Sequence, residues 1–285
     1  MNPTFRSGTV KDATACGQIC YEAFKAIAEQ HNFPPDFPST DVAVGLLSMI
    51  LARSDVYSVI AELDGQVIGS NFLWESDTIA GVGPITVVPT TQNAGIGRRL
   101  MESVLDRAKA RRQVGVRLVQ AAYHNRSLSV YSKLGFQARE PLSTIQGPPL
   151  KLERPAYRVR NAIRDDLEMC DVLCQDVHGH DRHGEIAHAI ANGTATVVEH
   201  GGRITGYATD IGYFAHAIGR TNEDLKALIG AASGFTGPGF LLPTRNTELL
   251  QWCLTHGLRV VQPMTLMSLG LYQKPSGSFL PSILY

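Results

Sequence analysis

Residues 84–100 read Pro84-Ile85-Thr86-Val87-Val88-Pro89-Thr90-Thr91-Gln92-Asn93-Ala94-Gly95-Ile96-Gly97-Arg98-Arg99-Leu100. A β-branched strand from Val82 to Val88 stops at Pro89, and a short loop delivers Gly95 and Gly97 to the start of a helix. That helix, expected from Gly95 to about Arg112, is signed by Ile96, Leu100, Val104 and Ala108 at every fourth place, with Arg98, Arg99, Glu102, Asp106 and Arg107 facing away. Glycines at such a turn let the backbone approach an anion closely. The unpaired N–H groups of the first helical turn, at the positive end of the dipole, suit a pyrophosphate. No Gly-Lys-Ser/Thr follows, so the turn is not a P-loop, and the three-glycine dinucleotide fingerprint is also missing. Lys109, Arg111 and Arg112 crowd the far end of the helix and read as a solvated terminus favoured by the dipole.

Around this segment the patterns predict a strand near Phe5 to Thr9, a helix from Ala13 to Gln30, a second helical segment from Asp41 to Arg53 and a hairpin turning at Asp64-Gly65. After the long helix come a strand from Arg117 to Ala122, a short helix from Ser127 to Leu134 and a closing strand. Parts of the series return. Arg6, Asp12, Cys16 and Cys20 recur as Arg160, Asp166, Cys170 and Cys174, all displaced by 154 positions. Asp64-Gly65-Gln66-Val67-Ile68-Gly69 is echoed by Gly201-Gly202-Arg203-Ile204-Thr205-Gly206, displaced by 137. A duplication accounts for both, with 17 extra residues in the first copy that include Phe33-Pro34-Pro35-Asp36-Phe37-Pro38. This proline-broken loop, with two aromatics expected to be exposed, reads either as a lip for an acceptor or as surface packing. A Pro-rich connection yields to a new strand at Tyr157, so the domains are placed at 1–154 and 155–285.

About 30 residues after the glycine turn stands Tyr123-His124-Asn125-Arg126-Ser127-Leu128-Ser129-Val130-Tyr131-Ser132-Lys133-Leu134-Gly135-Phe136. Together, Gln92-x-x-Gly95-x-Gly97 and Ser127-x-x-x-Tyr131-x-x-x-Gly135-Phe136 resemble the two blocks with which the GCN5-related N-acetyltransferase (GNAT) family holds acetyl-CoA. The resemblance covers most of residues 1–140. With the repeat, it implies an α/β protein of two tandem GNAT-like domains, each a mixed, mostly antiparallel twisted sheet flanked by helices. It implies that backbone groups of Ile85, Thr86 and Val87 pair with the pantetheine arm like an added strand. Gln92, Asn93, Ala94, Gly95, Ile96, Gly97 and Arg98 would wrap the pyrophosphate, and Tyr131 would stand near the thioester sulfur and donate a proton to the departing thiolate. Tyr131 stacked on the cofactor arm or capping the core is the plainer alternative.

Seven residues before this tyrosine the family often has an asparagine; here His124 holds that place and Asn125 follows. Asn125 and Ser127 are carried as cofactor contacts. His124, an imidazole that ordinarily titrates near neutrality, and Glu75 on the preceding strand are both candidate bases for the amine. The implied reaction is direct transfer in a ternary complex, from acetyl-CoA to the primary amine of a small molecule or peptide. It needs no nucleophilic cysteine, and none of the five cysteines lies in either block. A non-catalytic acyl-CoA-binding or sensing module is the competing class.

In the second copy, His216-Ala217-Ile218-Gly219-Arg220-Thr221-Asn222-Glu223-Asp224 replaces the glycine turn, with Thr221 as an N-cap for Asp224. Acidic residues in a first turn repel a pyrophosphate, so this copy is expected not to bind CoA in the family's way. His178-Gly179-His180-Asp181-Arg182-His183 invites a zinc reading, but no distant ligand set completes a shell, and a polar loop is preferred to a metal site. The apolar end Pro281-Ser282-Ile283-Leu284-Tyr285 suggests a tail whose terminal carboxylate, on Tyr285, helps bind or deprotonate the amine; edge packing is the alternative.

Composition bounds the rest. With 285 residues and 44% apolar side chains, the chain can bury two ordinary cores. Its 26 basic and 26 acidic side chains balance, which leaves no general field for nucleic acid or an anionic membrane. There is no run of roughly 20 apolar residues and no signal peptide, so a cytoplasmic monomer or homodimer is expected. Five thinly spread cysteines argue for a reducing compartment, with Cys16/Cys20 and Cys170/Cys174 as small buried residues on helix faces.

Overall fold

The computed structural model of the chain describes residues 3–92 and 94–284. The described residues of Met1–Leu118 and Tyr123–Gln137 form one compact unit, and those of Val119–Ala122 and Ala138–Tyr285 form a second. The first carries β1 (Thr4–Ser7), α1 (Ala13–Gln30), α2 (Thr40–Leu51), β2 (Val56–Leu63), β3 (Gln66–Trp74), β4 (Ile79–Val82), β5 (Thr86–Val87), α3 (Ile96–Ala110), the start of β6 (Gly115–Ala121) and α4 (Asn125–Lys133). Antiparallel pairing joins β1 to β2, β2 to β3, and β3 to both β4 and β5, while β4 runs parallel to β6 at Ile79–Gly81 and Gly115–Arg117.

Side chains alternate across these strands, so one face of the sheet takes Ile60 and Phe72 and buries them with Cys16 and Cys20 of α1 and Leu47 and Ile50 of α2. The other face meets α3, where the Asn71 amide donates to the Leu100 carbonyl at 3.3 Å. The single strand expected over Val82–Val88 is in fact two. Pro84 has no N–H to give to a ladder; before it β4 lies between β3 and β6, and after it β5 keeps β3 but, among the described residues, no longer pairs with β6.

The second unit carries β7 (Gln137–Gln146), β8 (Tyr157–Asn161), α5 (Leu167–His178), α6 (His183–Ala191), β9 (Thr196–His200), β10 (Arg203–Ala208), β11 (Ala217–Gly219), α7 (Asn222–Ala231), β12 (Phe240–Pro243), α8 (Thr247–Thr255), β13 (Arg259–Gly270) and β14 (Ser278–Leu280). One of its sheets is antiparallel in the order β14-β11-β10-β9-β8. Elsewhere in this unit β12 pairs antiparallel with β7. Compactness and repeat divide the chain differently, because β7 precedes the second copy in sequence yet belongs almost wholly to the second unit.

The duplication is visible in three local devices. Arg6 clasps Asp12 through two bonds of 2.9 and 2.7 Å and Glu62 through Nε at 2.9 Å. Arg160 repeats this with Asp166 at 2.7 and 2.8 Å and Glu199 at 2.7 Å. In both copies the aspartate also accepts a backbone N–H at 2.8 Å, from Thr9 or Ile163, and so fixes the entry into the first helix. The Arg6 guanidinium holds the Asp12 carboxyl down to about 2, and Asp166 is lowered in the same way by Arg160.

The second device is a glycine under a neighbouring strand. A Cβ on Gly69 would lie 2.7 Å from the Thr86 carbonyl oxygen, and one on Gly206 would lie 2.6 Å from that of Ile218. Gly69 pairs with Val87 and Gly206 with Gly219, so β11 is the counterpart of β5. The third device ends a helix. Gly135 (φ 96°) and Gly257 (φ 85°) close α4 and α8, with Phe136 N–H bonded to Tyr131 O at 3.0 Å and Leu258 N–H to Cys253 O at 3.1 Å.

All five cysteines are free and buried; burial pushes the Cys16 thiol up to about 11 and those of Cys170, Cys174 and Cys253 to about 12. Because no Cβ fits between β10 and β11, Gly206→Ala should lower the stability of the chain by about 1–3 kcal/mol. Urea unfolding followed by circular dichroism measures it, and an unchanged midpoint would show that the strands separate at little cost.

Candidate active site

The site grows out of the break at Pro84. Val88 N–H donates to the Ile68 carbonyl at 2.9 Å. Successive residues of a strand aim their amide groups at opposite edges, so Val87, and two residues earlier Ile85, turn N–H and C=O away from β3. Among the described residues no other strand pairs with that edge of β5. Of the three residues expected to meet a pantetheine arm, Ile85 and Val87 thus offer backbone groups. Thr86 faces β3, with its hydroxyl 3.5 Å from that of Ser70.

The edge leads to the N-terminus of α3. Gly95 is its N-cap with φ 78°, a left-handed conformation that favours glycine, and no side chain of the described residues caps the helix. Its first turn contains no acidic residue, and Gly97 and Ile96 open it. The first-turn N–H groups are therefore not answered by a side-chain cap. Gln92 braces the loop by donating to the Val87 carbonyl at 3.2 Å, and its own amide oxygen accepts from Arg126 at 3.0 Å. That bond ties the glycine turn to the start of α4. Arg98 points outward and pairs with Glu102. Asn93 and Tyr285 lie outside the described residues, and Ala94 and Asn125 are exposed.

Helix α4 follows its N-cap His124 and sets His124, Ser127 and Tyr131 along one face. The Schellman turn at Gly135-Phe136 packs Phe136 behind Tyr131, with ring centroids 6.2 Å apart, and leaves Tyr131 only 6% exposed. Burial pushes the phenol up to about 12, against a hydrogen bond from Ser127 that acts the other way. Ser127 Oγ also bonds His124 Nδ1. His124 does not titrate near neutrality: burial, then Arg126 and His31, hold the imidazole down to about 4. A wall of aromatics adjoins it. Phe33 stacks on Tyr123 at 4.3 Å and 8°, and His31 lies 5.3 Å from the same ring. Phe33 and Phe37 are half-buried rather than exposed, and Phe37 packs on Phe24.

Glu75 is elsewhere. It accepts from Arg107 at 2.7 and 3.0 Å and lies 3.8 Å from Arg111, at the C-terminal end of α3. The helix has 15 residues, and at ~1.5 Å per residue its two ends lie roughly 20 Å apart. The structure thus brings together His124, Ser127, Tyr131, Gln92 and the β5 edge, and sets Glu75 apart. Sequence reasoning missed Arg126 as the tie to Gln92 and Tyr123 as the platform under Phe33; both stand inside the second block, where their positions were the available signal.

The second copy lacks each part. Gly219 is followed after two residues by the α7 N-cap Thr221, whereas Val87 and Gly95 are eight apart. The cap is the one expected: Asp224 accepts from Thr221 N and Oγ1, each at 2.9 Å. The edge of β11 that would correspond to the open edge of β5 is paired with β14, Ile218 opposite Phe279. In α8 the places of His124, Ser127 and Tyr131 are taken by Asn246, Leu249 and Cys253. A cavity of about 310 Å³ remains between the starts of α7 and α8, lined by Asn222, Arg245, Asn246, Glu248 and Ser278 among others. The histidine run is engaged in ordinary contacts: His183 with Asp171 at 2.7 Å, His180 with the Asp181 carbonyl at 3.0 Å. Among the described residues no three His, Cys, Asp or Glu side chains gather as a metal site, and no helix is long and apolar enough to cross a membrane.

Among the described residues the site thus combines an open strand edge, a glycine-led helix start and a buried tyrosine on the next helix. The chain belongs to the GNAT acetyltransferase family: the model described as "Acetyltransferase (GNAT) family" matches residues 22–136. A protein named IAA acetyltransferase from Azospirillum brasilense is 33% identical over 110 residues, which are 37% of this chain and 71% of that protein. Over the whole chain, the fold is similar to that of a putative acetyltransferase from Pyrococcus horikoshii, with TM-score 0.75 and 16% identity over 99% of this chain and 94% of that one. A GCN5-related N-acetyltransferase from Sphaerobacter thermophilus is similar at TM-score 0.62 and 12% identity, over 95% and 96%. The general chemistry of the chain is GNAT-type acetyl transfer from acetyl-CoA.

The low value of His124 has a sign that can be tested. Unfolded, the imidazole takes up a proton near its ordinary 6.5; folded, it does so only near 4. The folded state therefore loses stability as pH falls from about 6.5 to 4 and keeps it above 6.5. Thermal melts across that range should show a decline that His124→Asn makes shallower. Equal slopes in the two proteins would mean that the imidazole is not held down in the fold.

Proposed function

We propose that the chain moves an acetyl group from acetyl-CoA to the primary amine of a small molecule or peptide by direct transfer in a ternary complex. The observation that carries this is the continuity of the open β5 edge with the uncapped N-terminus of α3. The edge suits an extended amide-bearing arm, and the helix start suits its pyrophosphate. Ile85 and Val87 would hold the arm; Gln92, Asn93, Ala94, Gly95, Ile96, Gly97 and Arg98 would surround the phosphates. Tyr131, kept protonated by burial, gives its proton to the departing sulfur.

His124 receives the amine proton in this reading. Glu75, held between arginines at the far end of α3, serves the fold instead. The acceptor lies against the Phe33–Tyr123 stack, which offers an apolar face beside the imidazole. We take residues 1–154 and 155–285 as the two copies, with only the first binding the cofactor: in the second, Asp224 and β14 occupy the places that the cofactor would need.

Titration calorimetry with acetyl-CoA should give one site per chain. A panel of arylalkylamines, polyamines and peptides with free N-termini should reveal CoA release. Tyr131→Phe should keep acetyl-CoA affinity and lower kcat by about 10²–10⁴-fold. Binding without turnover by any amine would leave a non-catalytic acyl-CoA-binding module, and two sites per chain would overturn the assignment of the second copy.

A further inference from the structure

We propose that the acceptor is an arylalkylamine, whose flat ring stacks on Phe33 while its amine meets His124, and that Phe33 is the residue that selects it. The inference rests on the reading of the chain as an amine acetyltransferase and names the class of amine. Its ground is a wall of three rings, each held by the chain itself. Helix α1 ends in a Schellman turn in which Asn32, with φ 58°, stands where glycine is usual: Asn32 N–H bonds the Glu29 carbonyl at 3.1 Å and Phe33 N–H that of Ala28 at 2.9 Å. The turn lays the Phe33 ring on Tyr123, with 4.3 Å between centroids and 8° between planes. The His31 imidazole donates through Nδ1 to the Ile27 carbonyl at 3.0 Å, and its centroid lies 5.3 Å from that of the same tyrosine ring. Pro34 and Pro35 then restrict the backbone, and Phe37 fastens the far end of the loop to Phe24, with ring centroids 5.9 Å apart.

The wall stands next to the chemistry. Tyr123 immediately precedes His124, whose Nδ1 is bonded to Ser127, which leaves Nε2 as the nitrogen to meet an amine. Tyr123 covers one face of Phe33, yet Phe33 is only half-buried, so part of its surface remains for a second flat ring. Such a ring continues the stack in the geometry that aromatic pairs favour, and because the wall is already fixed, little ordering is lost when it binds. The second copy supplies the contrast. Arg245 takes the place of Tyr123, and α5 ends at His178 with α6 starting at His183, too close for a loop like that of Phe33. The rings are therefore absent from the copy that is read as binding no cofactor, and the fold itself does not require them. Other amines fit less well. Arg126 and His31 help to keep a proton off His124, and the same field resists the further ammonium groups of a polyamine. A peptide would set its amide groups against carbon rings, where they lose water without gaining partners.

The test compares kcat/KM for phenethylamine and cyclohexylethylamine, which share a carbon skeleton and reach but of which only the first is flat. The wild type should favour phenethylamine on the order of 10-fold, through KM more than kcat. Phe33→Leu should raise the phenethylamine KM by about 10-fold and bring the two amines level; Phe33→Trp, which keeps a flat ring, should restore the preference. Both variants should still bind acetyl-CoA by calorimetry, and the wild-type comparison stands by itself if Phe33→Leu does not fold. Equal kcat/KM for the two amines in the wild type, or a preference that survives Phe33→Leu, overturns the assignment. So does turnover of spermidine or a peptide with phenethylamine inert, and in each of these cases acetyl transfer to an amine is left standing. Acetyl-CoA bound without CoA release from any amine overturns the parent reading instead, and the assignment falls with it.

Discussion

A helix that starts inside a folded chain must have its first N–H groups answered, and in this protein the two copies of one unit answer them in opposite ways. At the start of α7 the answer is internal: the Asp224 carboxylate, 1% exposed, accepts from Thr221 and from Thr205. At the start of α3 the described residues supply no capping side chain and no acidic residue in the first turn, only Gly95 in a left-handed conformation. The same electrostatic demand is therefore met in one copy by a residue of the chain, and in the other, among the described residues, no side-chain cap meets it. Loop length follows from this choice. A helix capped by its own third residue needs no approach loop, and only Arg220 separates Gly219 from Thr221; the path from Val87 to Gly95 at the start of α3 is eight residues long.

The sheet edge obeys the same logic. A strand that pairs on one side only leaves backbone groups that seek a partner. In the second unit β14 supplies it, running antiparallel to β11 from Leu280 opposite Ala217 to Ser278 opposite Gly219. Among the described residues the equivalent edge of β5 is without a strand, and one of its carbonyls, that of Val87, is met by the Gln92 side chain. Gln92 thus binds the open edge to the glycine turn, and through Arg126 binds both to α4. Three pieces that are separate in sequence become one surface through two hydrogen bonds from a single amide.

Much of this was legible in the residues, for reasons that differ by element. The duplication showed because its devices demand particular chemistry: an arginine that clasps two carboxylates, and a glycine where no Cβ fits, resist substitution by anything similar. The Gly135-Phe136 pair was legible because a Schellman turn needs a left-handed residue followed by an apolar one, and this is what fixes Tyr131. The break of the central strand was harder to foresee, since a β-branched run with one proline reads as a strand until the pairing of its two ends is known. Glu75 misled for a related reason. Its place at the end of β3 follows from sequence, but that this end lies by the last turn of α3, against Arg107, depends on the direction in which the helix crosses the sheet. His124 misled through its surroundings: residue type gives an ordinary imidazole, and burial beside Arg126 and His31 changes it.

The neutral charge of the chain, 26 basic against 26 acidic side chains, takes on a specific meaning in this light. Near the site, Arg98 is already paired with Glu102. What remains for an anion at α3 is largely the backbone itself, whose partial charges are fixed in direction and fall off within a turn of the helix. Such a site selects by shape as much as by sign, because a ligand gains from it only when its phosphates reach the amides themselves. Here the glycine at Gly95 does more than permit a turn. It removes the side chain that would hold an anion away from the helix end, which a neutral protein without an attractive field over its whole surface needs wherever it meets an anion.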